Sequence, residues 1–80
     1  MKINVIAFGI ARDILGGNEQ ALEVPENCTV GALRRQLMSH YPALERLASL
    51  AIAVNTEYAL DDLGISEKDE IVLIPPVSGG

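Results

Sequence analysis

Two segments, KINVIAF (residues 2–8) and EIVLIP (residues 70–75), carry apolar side chains on both of their alternating faces. β-Branched and aromatic residues dominate them, so both read as strands. A strand that is apolar on both faces belongs in the middle of a sheet. The chain has 80 residues, which is one domain, and such a domain buries only about 60% of the surface of its unfolded chain. Only one stretch is long enough for a substantial helix, and one helix covers one face of a sheet. Apolar side chains are therefore expected on the uncovered face, drawn from Ile6, Phe8, Val72 and Ile74. Small soluble domains seldom leave such a patch bare, which favours partner contact over a loop folded across it.

The segments between these strands supply the rest of an α+β fold. Gly9 to Leu15 changes period and predicts a short helical turn, ended by Gly16-Gly17. EQALEV (19–24) alternates, with Gln20, Leu22 and Val24 on one side, and predicts a strand antiparallel to the first. Thr29 suits an N-cap for a helix over about residues 30–41. Val30, Leu33, Leu37, Met38 and Tyr41 form one helical stripe, while Arg34, Arg35 and Ser39 are expected to face water. Pro42 closes the helix by disfavouring helical backbone at the residue before it. Leu44 and Leu47 are expected under a short turn. AIAVN (51–55) predicts a strand, 55–57 a turn and Tyr58-Ala59 a brief returning strand. Residues 61–66 predict a loop with its turn at Gly64.

Composition narrows the function. Six Lys and Arg stand against eleven Asp and Glu, a formal net charge of −5. Nucleic-acid binding needs the opposite balance. No stretch approaches the ~20 apolar residues of a spanning helix. Residues 3–11 are a poor signal-peptide core, because Asn4 interrupts them and Arg12-Asp13 follow at once. The expected compartment is the cytoplasm. The single Cys and single His make neither a zinc set nor a Ser-His-Asp triad. Cys28 precedes a helix N-terminus, where the dipole lowers a thiol pKa, but it reads better as a small, partly buried residue. His40 reads as a dipole partner at a helix end, and Arg12 as a surface or loop-anchoring residue. Asp61, Asp62, Glu67, Asp69 and Glu70 read as a solvated face without EF-hand spacing, with contact to basic residues on a partner as the alternative.

The chain ends Pro75-Pro76-Val77-Ser78-Gly79-Gly80. The prolines favour an extended path without backbone donors. These residues reach roughly 20 Å from a sheet. A Gly-Gly tip has no side chains, so it threads a narrow channel and lets another backbone approach closely. Its only reactive group is the terminal carboxylate, open to activation as a mixed anhydride. The bland alternative is a frayed terminus.

These residues carry a family resemblance. The ββαββ order with a Gly-Gly end resembles the ubiquitin-like β-grasp sulfur carriers, and most of all the small subunits of molybdopterin synthases. FGIARDILGG (8–17) resembles that family's first loop, TVGALRRQL (29–37) its helix start, AVN (53–55) its middle strand and turn, and KDEIVLIPPVSGG (68–80) its last strand and tail. The likeness spans essentially the whole chain; Ser78 stands where Thr or Ala is common. It implies a β-grasp domain over residues 1–75, with a mixed four- to five-stranded sheet, and an extended tail over 76–80.

The resemblance also implies a mechanism. An adenylylating activating enzyme, using ATP and magnesium, would activate Gly80; this chain itself would hold no cofactor or metal. A sulfur donor system would convert the adenylate to a thiocarboxylate. Gly79, Ser78, Val77, Pro76 and Pro75 would thread into the large subunit, and Phe8, Val72 and Ile74 would dock against it. Sulfur would pass to cyclic pyranopterin monophosphate, with two charged tails per product and two small and two large subunits per assembly. Other readings remain open: a carrier for thiamine, cysteine or tRNA thiolation, a ubiquitin-like protein modifier, or a non-catalytic β-grasp binding module. Thiamine carriers are usually shorter and lack the Pro-Pro.

Overall fold

The computed structural model describes residues 1–47 and 49–75. The elements run β1 (Lys2–Ala7), α1 (Gly9–Leu15), β2 (Glu19–Glu23), α2 (Val30–His40), a 3-10 turn (Pro42–Arg46), β3 (Ala51–Val54), β4 (Glu57–Tyr58) and β5 (Ile71–Ile74). The five strands form one mixed sheet in the order β2-β1-β5-β3-β4. β1 pairs antiparallel with β2 and parallel with β5, and β3 pairs antiparallel with both β5 and β4. Both doubly apolar segments thus lie side by side inside the sheet. A parallel pair needs a long crossover, and the chain between β1 and β5 carries α2.

Register assigns every strand residue to a face. Val5, Ile71 and Val54 lie in one row across β1, β5 and β3, and Ala7, Leu73 and Ile52 in the next on the same face. All six are buried. Against them pack Val30, Leu33 and Leu37 of α2 and Leu44 of the 3-10 turn, each with no exposed area. The helical stripe of the sequence is this contact, with Met38 and Tyr41 packed on its margin.

Local chemistry fixes the element ends. Thr29 has extended backbone, and its Oγ1 accepts from the Ala32 N–H at 3.2 Å, which caps α2. Gly16 ends α1 at φ +83°, the left-handed region where a side chain is costly. Asn55 and Thr56, at φ +53° and +73°, make the two-residue turn between β3 and β4. Two left-handed central residues match the right-handed twist of a hairpin.

Two sequence expectations need correction. Arg34 does not face water: it is half-buried, donates to the Leu50 carbonyl, and pairs with Asp61 at 3.4 Å. Its stem lies along apolar surface while its head finds polar partners. Gly64 does not make the turn of its loop. It bridges to Thr29, and the turn is Leu60–Leu63, closed by the Leu63 N–H on the Leu60 carbonyl at 3.1 Å.

Candidate functional site: the open sheet face and the root of the tail

The alternate residues of the same strands face away from α2. Ile6 pairs with Val72, Val72 with Ala53 and Ala53 with Tyr58, so these four form one row across β1, β5, β3 and β4. Ile74 pairs with Ala51 in the next row, and Phe8 lies one residue beyond the Ala7–Leu73 pair, beside Ile74. Among the described residues, no helix covers these rows. Ile6, Val72 and Ile74 are half-buried, while Phe8 is 57% and Tyr58 74% exposed. β2 adds Glu19, opposite Ile6, and Glu23, opposite Lys2, to the same face. The face is therefore an apolar ridge with an acidic flank.

The ridge adjoins the point where the chain leaves the sheet. Pro75 follows β5 directly, and a Cβ built on Gly9 would lie 3.5 Å from its Cγ. Gly9 itself sits at φ +56°, just after Phe8. The root of the tail and the exposed Phe8 ring therefore share one corner. The structure brings four expected site residues together: Phe8, Val72, Ile74 and Pro75. Pro76, Val77, Ser78, Gly79 and Gly80 lie outside the described residues.

Sequence reasoning missed Tyr58 as a member of this face. It lies on a two-residue strand, too short to show a period. The register of β3, through Ala53, puts it there; the turn is two residues, 55–56, one shorter than the 55–57 expected, and β4 runs Glu57–Tyr58 rather than 58–59, which fixes which residue of β4 faces which of β3.

The remaining candidates are structural. Cys28 is buried, its Sγ donates to the Thr29 carbonyl at 3.4 Å, and burial raises its pKa more than the charge of Arg35 lowers it. His40 Nδ1 lies 3.2 Å from the Gln36 carbonyl at the end of α2. Asp69 accepts from the Ser66 N–H at 2.8 Å and from Asn55 Nδ2 at 2.9 Å, which hold its carboxyl below the usual value. Asn55 Oδ1 in turn accepts from the Glu70 N–H. Part of the acidic cluster therefore ties the β3–β4 turn to the start of β5. Among the described residues, no group of three or more His, Cys, Asp or Glu is placed to hold a metal ion, and no helix is long and apolar enough to cross a membrane.

A mixed five-stranded sheet in this order, with one principal helix across one face, is the ubiquitin-like β-grasp fold. An apolar open face lies beside Pro75, where β5 ends. The sequence model of the ThiS family matches residues 5–80, and the chain belongs to that family of ubiquitin-like sulfur carriers. It is 33% identical to the molybdopterin synthase sulfur carrier subunit of Arabidopsis thaliana, covering 100% of this chain and 84% of that one. It is 35% identical to the protein of the same name in Caenorhabditis elegans, covering 100% and 99%. Among solved structures, a putative molybdopterin converting factor subunit 1 from Pyrococcus furiosus superposes with a TM-score of 0.86 at 26% identity, covering 96% of this chain and 99% of that one. SAMP1 from Haloferax volcanii gives 0.84 at 27% identity over the whole of both chains. A chain from the complex of subunits 1 and 2 of the molybdopterin-converting factor of Helicobacter pylori gives 0.68 at 27% identity, again over the whole of both.

Proposed function

We propose that this chain is the sulfur-carrier subunit of a molybdopterin synthase, working in the cytoplasm with Gly80 as the carrier of sulfur. The observation that carries this reading is the corner shared by Phe8 and Pro75: docking the apolar ridge on a partner aims whatever follows Pro75 at one fixed place on that partner. The full-length likeness to subunits named for this role supports it. So does the neighbour solved as a complex of two subunits.

In this mechanism the Gly80 carboxylate attacks the α-phosphate of ATP, held with magnesium by the activating enzyme, and pyrophosphate leaves. Sulfide from the donor system then displaces AMP and leaves a thiocarboxylate; where a donor persulfide attacks instead, the acyl disulfide first formed is cleaved by a second donor thiol, which releases the thiocarboxylate and leaves a disulfide on the donor. The large subunit supplies the walls and the proton-handling groups around the tail. The chain's own part is to dock, through Phe8, Tyr58, Val72 and Ile74, and to deliver a tip without side chains. Two small and two large subunits make the assembly.

Mass spectrometry of protein from cells that hold the activating system tests this directly. Oxygen-to-sulfur exchange at Gly80 is expected; carboxylate alone, where a known carrier is charged, overturns the reading. Removing Gly80, or adding one residue after it, is expected to abolish transfer and leave the fold intact. The likeness to SAMP1, small archaeal modifier protein 1, favours protein modification as the second reading. Its product would be an isopeptide from Gly80 to a lysine, found in the same spectra.

A further inference from the structure

The loop after β4 holds apolar surface that the open face does not use. Leu60 is 78% and Leu63 43% exposed. The Leu60–Leu63 turn brings its two end residues within about 7 Å of one another. Asp61 and Asp62 form the tip between them. Val54 and Glu57 continue the surface into a groove of about 490 Å³, which meets the open face at its edge, at Tyr58.

This exposed segment is held firmly. The Ala59 N–H donates to the Ile52 carbonyl, and the Ile65 N–H to the Cys28 carbonyl. The Val30 and Gly31 N–H groups at the start of α2 donate to the Leu63 and Asp61 carbonyls at 2.8 and 2.9 Å. Gly31 permits that approach, since a Cβ there would lie 3.1 Å from the Asp61 Cβ. A loop with its backbone already ordered loses little entropy on binding. Two exposed leucines on a fixed turn are thus prepared to be covered.

Charge selects the occupant. Asp61 has Arg34 as a partner, but among the described residues Asp62 and Glu57 pair with no cation. Among the described residues, no Lys or Arg lines the groove. A second copy of this chain, with a net charge of −5, would bring further negative charge to an acidic rim. We infer that the Leu60–Leu63 groove is a second docking site, separate from the Phe8 corner, for a partner-protein segment with an apolar side chain between lysines or arginines.

Two synthetic peptides of identical leucine content, one flanked by lysines and one by glutamates, test this against the intact ¹⁵N-labelled chain. The lysine peptide is expected to shift the amides of residues 57–64, leave those around Phe8 and Ile74 in place, and bind about tenfold tighter than its twin. Asp62→Lys is expected to reverse that preference, and Leu60→Ser to weaken both peptides about tenfold. Both positions are exposed, so an unchanged spectrum elsewhere verifies the fold. Equal binding of the twins, shifts confined to the Phe8 corner, or no shifts would overturn the inference. Shifts at 57–64 that grow with protein concentration alone would overturn it too, in favour of a second copy. Sulfur transfer at Gly80 is a separate measurement, so the two readings fail independently.

Discussion

The two faces of this sheet are built from the same strands and almost the same residue types, yet they do opposite things. On β5, Ile71 and Leu73 are fully buried under α2, while Val72 and Ile74 are only half-buried on the other side. Hydrophobicity does not separate them; parity does. One residue of register decides whether an isoleucine is sealed in the core or left half-exposed on the open face. An apolar side chain is worth roughly 1.5–3 kcal/mol when it is fully buried, so the open face keeps in reserve part of what the closed face has already gained.

Substitutions on the two faces sharpen that contrast. The largest effect is expected from Leu33→Ala or Leu73→Ala on the closed face, which should destabilise by about 2–5 kcal/mol. In so small a domain that removes most of the stability, and a thermal or urea melt would show it. Phe8→Asp should cost under about 1 kcal/mol of folding but about 2 kcal/mol or more of large-subunit affinity, read by calorimetric titration. Gross unfolding of that variant would place Phe8 in the core and erase the distinction. Cys28 belongs to the closed side, so it should alkylate slowly at neutral pH and rapidly in denaturant. Fast labelling of the native chain would mean that burial does not govern the thiol.

Smaller effects lie in the turn network. The Asp69 carboxyl titrates lower in the folded than in the unfolded chain. Its contribution is therefore present above the unfolded value near 3.8 and is lost as pH falls through the lower folded value. Asp69→Asn should flatten the acid limb of the stability curve between those two values and change little at pH 7 beyond the lost charge. Thr56 is β-branched at φ +73°, so Thr56→Gly should stabilise by up to about 1 kcal/mol, visible as a small rise in melting temperature.

Much of this was legible in the sequence because it is local. The periods of residues 2–8, 19–24 and 30–41, the Thr29 cap and the Gly16 stop all follow from neighbours along the chain. The double apolarity of 70–75 even revealed that β5 is central. What escaped depends on partners far away in sequence. Arg34 looked solvated because its acceptor, the Leu50 carbonyl, arrives from another element. Tyr58 gained its place on the open face only through the pairing of β3 with β5 and β4. The exposure of Leu60 and Leu63 depends on a turn whose anchors belong to the start of α2.

The parallel pairing of β1 with β5 has a consequence for how the chain is made. β1 leaves the ribosome well before residues 71–74, which form its central neighbour. Until they follow, β1 has one partner and the sheet cannot close, and contacts so distant in sequence form late and slowly. Maturation is thus timed by the synthesis of β5. The open face is complete only on chains already translated through that strand.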